Sequence, residues 1–279
     1  MPDPLAFILS EDFLIRTELN IVLAWSVFIT LSSGQLSLGH AAFMAIGAYT
    51  ASVLTVEFDY PLALALVGGA LLAGFFGLFV GFPALRLRGL YLAVATLGMG
   101  EMVRLFFRNF EYTGGATGLR GMEGTSLFNV TAALVLCLLF VWKLTHSRLG
   151  LSLSAVSDDE MAASTLGINA TYVKVLSFAL GGMMAAAGGG LMAHYQFYIE
   201  PDLFGFQESI LLVLFVVIGG MDNIWGPALG AILLTLLPDL MRGFDEWRMA
   251  AYGIILVAMV TLRPQGILTR CTLAYAQHP

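Results

Sequence analysis

LNIVLAWSVFITLSSGQLSLGHAAFMAIGAYTASVLTV, residues Leu19–Val56, holds a single potentially ionised side chain, His40. Other uncharged stretches follow at Tyr60–Leu85, Gly124–Trp142 and Val175–Ile199. Each approaches or exceeds the roughly 20 residues that a helix needs to cross a bilayer. The whole chain agrees with its most apolar parts: 58% of its 279 residues are hydrophobic and 11% are charged, with mean hydropathy +0.85. Soluble domains carry about 25% charged residues, so the composition places this chain in a membrane. Apolar segments fall near 19–33, 40–56, 61–83, 90–107, 126–144, 173–193, 208–220, 226–241 and 249–262. The expected fold is all-α: a polytopic membrane helix bundle of about eight or nine spanning or partly spanning helices.

The opening stretch is not one clean helix. Ser32-Ser33-Gly34-Gln35 and Ser37-Leu38-Gly39-His40 interrupt it, and Gly219-Gly220-Met221-Asp222-Asn223 interrupts a later one. Two readings are open for the breaks near 33–40 and 219–226. They are plain turns outside the bilayer, or they lie at membrane depth, where irregular backbone is tolerated only inside protein or beside a wet cavity. After the second break, Asn223 can cap a helix and Pro227 fits its first turn. Glycine supplies 31 of the 279 residues, and small residues mark the faces where helices in lipid pack closely. Gly77/Gly81 and Gly226/Gly230 have GxxxG spacing, and Gly181-Gly182 with Gly188-Gly189-Gly190 enriches one segment further.

Ionisable groups inside apolar helices are costly and signal function or a buried pair. Glu101, Arg104 and Arg108 share one helix face, read either as a vestibule that tolerates zwitterions or as a structural ion pair with Arg108 reaching for the interface. The Gly-rich loop Tyr112–Gly118, with Gly114 and Gly115, lies beside them. His40, next to Ser37, either contacts a substrate or pins the helix break. His194, among Tyr195, Phe197 and Tyr198, fits an interfacial aromatic belt.

Several chemistries find no support. No GxxxxGK[ST] motif occurs anywhere, so the chain holds no nucleotide cradle and cannot hydrolyse ATP itself. Cys137 and Cys271 are the only cysteines. Their placement indicates neither a disulfide framework nor a metal site, and no catalytic or metal-binding residues are assigned. Gly34–Gly39 resembles a GxSxG elbow only by misalignment, and no acid stands near His40 to complete a hydrolase. A stand-alone secondary transporter would need its own coupling-ion site, yet across the segments from 19–33 to 173–193 the only carboxylate is Glu101. The N-terminus lacks the basic region and cleavage site of a signal peptide.

One polar island stands out: Ser157–Asn169, SDDEMAASTLGIN. Small residues, a carboxylate and a closing glycine suit a short helix gripped by a soluble partner; an ordinary polar loop is the alternative. If the island is cytoplasmic, that side holds Arg86, Arg88, Lys143, Arg148, Lys174, Arg263 and Arg270. The other side holds Arg16, Arg104, Arg108, Arg120, Arg242 and Arg248, so the positive-inside rule gives only a narrow vote.

Six collinear motifs carry a resemblance. Gly34–Tyr49 (GQLSLGHAAFMAIGAY), Leu87–Arg104 (LRGLYLAVATLGMGEMVR), Thr113–Leu119 (TGGATGL), Asp158–Asn169 (DDEMAASTLGIN), Gly219–Leu229 (GGMDNIWGPAL) and Arg263–Leu268 (RPQGIL) resemble the LivM-type permease of branched-chain amino acid ABC importers. The resemblance implies one transmembrane permease domain over 1–279, with a polar N-terminal segment 1–18, a cytoplasmic coupling loop 147–172 and a C-terminal tail 263–279. It implies a bacterial inner-membrane subunit that works by alternating access, with a LivH-type permease, two cytoplasmic ATPases and a periplasmic substrate-binding protein as partners. ATP and Mg would be bound by those partners, no cofactor by this chain, and no nucleic acid is expected as a partner. Asp159, Glu160, Ala162, Ala163 and Gly167 match the family's EAA-like coupling loop, one residue looser than the Glu-Ala-Ala form of other importers. Ser37, His40, Glu101, Arg104, Gly114 and Gly115 are the candidate pathway residues. The implied cargo is branched-chain amino acids, with other amino acids, urea and short amides open.

Overall fold

The structure is a computed structural model that describes residues 10–84, 87, 89–122, 125–240, 253, 257 and 266–268. Residues 1–9, Arg86, Arg88, Arg242, Arg248, Cys271, nearly all of the apolar segment 249–262 and the tail beyond Leu268 lie outside the described residues. Ten α-helices are described: α1 (Glu11–Leu31), α2 (His40–Val56), α3 (Leu62–Ala84), α4 (Leu90–Asn109), α5 (Leu127–Thr145), α6 (Arg148–Asp158), α7 (Glu160–Thr165), α8 (Ala170–Gln196), α9 (Phe206–Gly219) and α10 (Trp225–Leu240). Of these, α1, α3, α4, α5 and α8 are long and apolar enough to cross a membrane, while α2, α9 and α10 are shorter apolar helices. A two-residue antiparallel ladder joins β1 (Leu119–Arg120) to β2 (Tyr198–Ile199). Eight of the nine expected apolar segments are therefore helices, and the multi-pass helical bundle stands.

The centre of the bundle is α8, packed against α1, α2 and α3. Glycines on several sides of it explain why. Gly181 and Gly188 face Ser26, Thr30 and Leu23 of α1, Gly182 and Gly189 face Phe43 and Met44 of α2, and Gly190 faces Leu66 of α3. Gly47 of α2 rests directly on the Ala186 backbone, where a β-carbon would overlap it. Without water to drive association, this close contact is what holds helices together in lipid. Around this core, α5 and one face of α3 expose Phe75, Phe79, Leu136 and Leu139, as lipid-facing surfaces should.

Contacts at the helix ends fix the relative direction of each crossing. Gly34, after α1, lies 3.3 Å (from an added β-carbon) from the Ser157 Cα at the end of α6. At the opposite end, Tyr195 of α8 donates to Asp12 at 3.0 Å and Thr55 of α2 meets His194 at 2.8 Å. Further along, Asn20 donates to Thr235 of α10 at 2.8 Å. The described helices thus alternate across the layer, and the start of α1 lies on the side opposite the 157–169 island. Both breaks lie on the island's side.

His194 lies near the end of α8, where an interfacial residue is expected, but it does not reach the surface. It is fully buried, held by Thr55 and by the Gly190 carbonyl at 2.7 Å. Gly189 and Gly190 lie against Met44 and Ala51 of α2, which lets that helix come close enough to enclose it.

Candidate functional site

The polar island folds into a helical hairpin. Ser147 caps α6, and Asp159, in extended conformation, caps α7 by accepting N–H bonds from Met161 at 2.8 Å and Ala162 at 3.0 Å. These satisfy two of the orphan donors at a helix start. Gly167 ends the turn with φ +83°, the left-handed region that a non-glycine enters at a cost. Ala163 points inward onto Leu153, Val156 and Val173, so it glues the hairpin together. Ala162 and Gly167 remain exposed, beside Met161 and Leu166. Glu160 reaches back to α8, where Lys174 Nζ donates to its carboxylate at 2.8 Å.

Lys174 also leads into the first break. Its carbonyl accepts from Gln35 Nε2 at 3.1 Å. The same amide donates to Ser33 at 2.6 Å, and the Ser33 and Ser177 hydroxyls pair at 2.9 Å. Ser33, Gln35, Ser37 and Ser177 are all buried. Protein therefore encloses the polar side chains of this break, as irregular segments at membrane depth require, while Gly34 is exposed. A cavity of 230 Å³, lined by Gln35, Leu92, Ser157, Glu160 and Lys174 among others, separates the break from the hairpin. Ser37 accepts from the Gly39 N–H at 3.2 Å, and Thr96 of α4 accepts from the Leu38 N–H at 3.0 Å. His40 opens α2, fully buried, with Nε2 3.1 Å from the Thr30 hydroxyl across the break.

The second break belongs to the same neighbourhood. Trp25 of α1 donates to the Ile224 carbonyl at 2.9 Å, and a 540 Å³ cavity runs between Ser32, Ser157, Asp158 and Asp222. The Gly226 N–H bonds the Asn223 carbonyl at 3.1 Å, and the N–H groups of Ile267 and Leu268 bond the carbonyls of Ile218 and Gly219. The last residues of the RPQGIL motif thus pin the end of α9.

The remaining candidates lie at the other end. Arg104 pairs with Glu101 at 2.8 Å and with Asp202 at 3.0 Å, and Arg108 lies 3.8 Å from Asp202. Gly114 and Gly115 adopt positive φ in the loop that leads to β1, and Gly118 abuts Ile199 of β2. Beneath this loop Tyr49 stacks on Phe107 at 4.2 Å and faces Phe204. In β2, Tyr198 donates to Glu200 at 2.9 Å, and that bond to the carboxylate pushes the phenol up. The six pathway candidates therefore form two groups, with Ser37 and His40 towards the hairpin and Glu101, Arg104, Gly114 and Gly115 at the far end.

Sequence reasoning missed Gln35, Ser33, Ser177, Lys174 and Asp202. Gln35 and Ser33 sat within a recognised break, and Lys174 was the lone charge at the start of an apolar helix. Nothing in sequence pointed Asp202 at Arg104.

The profile of a family described as "Branched-chain amino acid transport system / permease component" matches residues 10–261. Among similar proteins is the high-affinity branched-chain amino acid transport system permease protein LivM of Salmonella typhimurium, 32% identical over 93% of this chain and 70% of the relative. LivM of Escherichia coli K12 is 33% identical over 92% and 69%. The corresponding permease protein LivH of Escherichia coli K12 is 25% identical over 85% of this chain and 86% of its own. No solved structure matches the chain significantly.

Proposed function

The chain belongs to the branched-chain amino acid transport permease family, which it matches over residues 10–261, and on that premise we propose that it is the membrane-spanning permease subunit of an ATP-binding-cassette importer. It passes leucine, isoleucine and valine from a periplasmic binding protein to the cytoplasm, in the bacterial inner membrane, by alternating access. The observation that carries the reading is identity to LivM spread over more than nine-tenths of the chain. A second permease subunit of the LivH type completes the pathway, and two ATPases supply the energy that this chain, lacking a nucleotide cradle, cannot supply.

The geometry supports a route for that energy. The exposed side of α7 with Ala162, and Gly167 just after it, receive the ATPases, and the Glu160–Lys174 pair ties α7 to α8. Gln35 then links α8 to the α1–α2 break, which carries Ser37 and His40. At the far end, Glu101 and Arg104 offer opposite charges to a zwitterion. No covalent chemistry and no cofactor in this chain enter the cycle.

The test is uptake by vesicles holding this chain with its partner permease, ATPases and binding protein, using labelled amino acids and urea. ATP-dependent accumulation of leucine, isoleucine and valine is expected. Accumulation without ATP, or of urea alone, would overturn the proposal.

A further inference from the structure

At the end of the bundle opposite the hairpin, three aromatic rings from three separate elements converge. They are Tyr49 of α2, Phe107 of α4 and Phe204 of the 3₁₀ turn Pro201–Phe204. The Tyr49 and Phe107 rings stack 4.2 Å apart and 12° from parallel, and the Phe204 ring lies 6.0 Å from Tyr49. All three side chains are buried. Asp202, in the same turn as Phe204, meets Arg104 at 3.0 Å and Arg108 at 3.8 Å, so one carboxylate ties two arginines of α4 to the turn. The loop after α4 closes the other flank. Leu119 and Arg120 pair with Ile199 and Tyr198, and Arg120 stands over the Tyr198 ring at 4.9 Å. The polar cavities of 540 and 230 Å³ lie at the other end, beside the hairpin.

Two features mark this closure as one that opens. Tyr49 is 1% exposed, yet its hydroxyl has no hydrogen-bond partner among the described residues. An unpaired buried hydroxyl is destabilising, and phenylalanine would stack in its place without that penalty. The second feature is the Asp202 contact. Asp202 keeps 58% and Arg108 50% of their side-chain surfaces, so water screens the pair and another carboxylate can take the place of Asp202. An amino acid brings such a carboxylate, joined to a side chain that aromatic faces accommodate when it is apolar.

We infer that Tyr49, Phe107 and Phe204 form the outer gate of the permease, latched by Asp202, and that the cargo opens it by placing its carboxylate on Arg104 and its side chain against the rings, with the Tyr49 hydroxyl donating to the same carboxylate. The inference rests on the importer reading and adds which residues admit the cargo and what they select. Charge alone would admit any zwitterion. The rings reject a polar side chain, which would lose its hydration and find no partner, and urea lacks the carboxylate that displaces Asp202.

The test uses the full complex, with its binding protein, in vesicles. Tyr49→Phe keeps the stack and removes the hydroxyl. Because that hydroxyl is unpaired in the shut gate, the variant should melt no lower than the native complex. Its leucine uptake at saturating binding protein should nevertheless fall about 3–10-fold, the range of one lost hydrogen bond. Unchanged uptake would overturn the inference. A lower melting midpoint would overturn it too, since the hydroxyl would then be bonded in the shut state. Asp202→Asn tests the latch by itself: leucine preloaded into vesicles should leak out about 2–5-fold faster than through the native complex without ATP, while preloaded sucrose stays inside. Leucine leakage at the native rate refutes the latch. A native complex that imports no amino acid with ATP refutes the importer reading, and the leak assay, which needs no ATP, still judges the gate.

Discussion

The Glu160–Lys174 pair joins the hairpin to the transmembrane bundle by a charged contact, and Lys174→Met should loosen it. At an effective dielectric near 20, charges 2.8 Å apart attract by about 6 kcal/mol. Most of that is offset. The lysine side chain keeps 15% and the glutamate 33% of their surfaces, so both lose hydration, and two long side chains lose rotamer freedom. Exposed pairs retain about 0.2–1 kcal/mol, and the shelter here raises the net tie to about 1–2 kcal/mol. Lost entirely from the coupled state, that is about a 5–30-fold change in equilibrium. Methionine preserves the length and the apolar stem, leaving backbone contacts such as the Gln35 bond to the Lys174 carbonyl. The assay is uptake per ATP hydrolysed in reconstituted vesicles. Lys174→Met should hydrolyse ATP but import about 5–30-fold less per turnover, and Lys174→Arg should recover most of the loss. A Lys174→Met variant within twofold of the native ratio, or an arginine variant as poor as the methionine one, would refute the assigned role.

Other perturbations probe neighbouring parts. Gly167→Trp, forced into a left-handed conformation at about 1–2 kcal/mol, and Glu160→Lys, which sets two cations together, should each abolish uptake while the permease still inserts; unchanged uptake with normal ATPase co-purification would sink the coupling role. Gly47→Val drives a β-carbon into the Ala186 backbone and should destabilise the solubilised complex by about 1–3 kcal/mol or more, read as a lower midpoint in thermal unfolding. Gln35→Leu keeps the bulk but removes the amide that bridges Ser33 and Lys174. It should cost about 1–3 kcal/mol and reduce uptake, whereas native uptake would show that the break needs no such bridge.

Much of the bundle was legible because bilayer thickness leaves few choices: an uncharged run near 20 residues crosses as a helix. Its interior was readable in part, since glycine-rich α8 had to be a packing element, although sequence could not say that its glycines serve three different helices. Glu160 and Gly167 were legible as a charge and a closing glycine, while the capping role of Asp159 came from the folded hairpin. Ala163 was not legible, because whether an alanine in a six-residue helix faces a partner or its own protein depends on tertiary contact with Leu153 and Val173. Asp202 stayed hidden for a related reason. It meets Arg104 across 98 residues, and only the folded position of the 3₁₀ turn after β2 brings them together. His194 sits near the helix end as its aromatic neighbours suggest, but its enclosure by Thr55 and the Gly190 carbonyl was not legible.

Whether the two breaks were plain turns was undecidable from sequence; the surroundings of the first separate it from a turn, whereas Met221 and Asp222 of the second are exposed. An ordinary exterior turn exposes its polar groups, yet Ser33, Gln35 and Ser37 are each at most 2% exposed. Helices α2 and α9, with 17 and 14 residues, reach about 25 and 21 Å, short of the hydrocarbon thickness. The short α2 and the buried polar groups of 33–37 together place the first break inside the layer. Both breaks touch α1, one by continuing it and the other through Trp25 and Ile224, and both border the end of α6. A displacement of the hairpin thus meets two irregular segments at once. Regular helices transmit such a push as rigid rods, while the segments between them absorb the change in backbone angle. Movement should therefore concentrate at 32–39 and 220–224, and amide exchange in those segments should rise when ATP binds the assembled complex. Equal exchange with and without ATP, in a complex that still transports, would place the moving joint elsewhere.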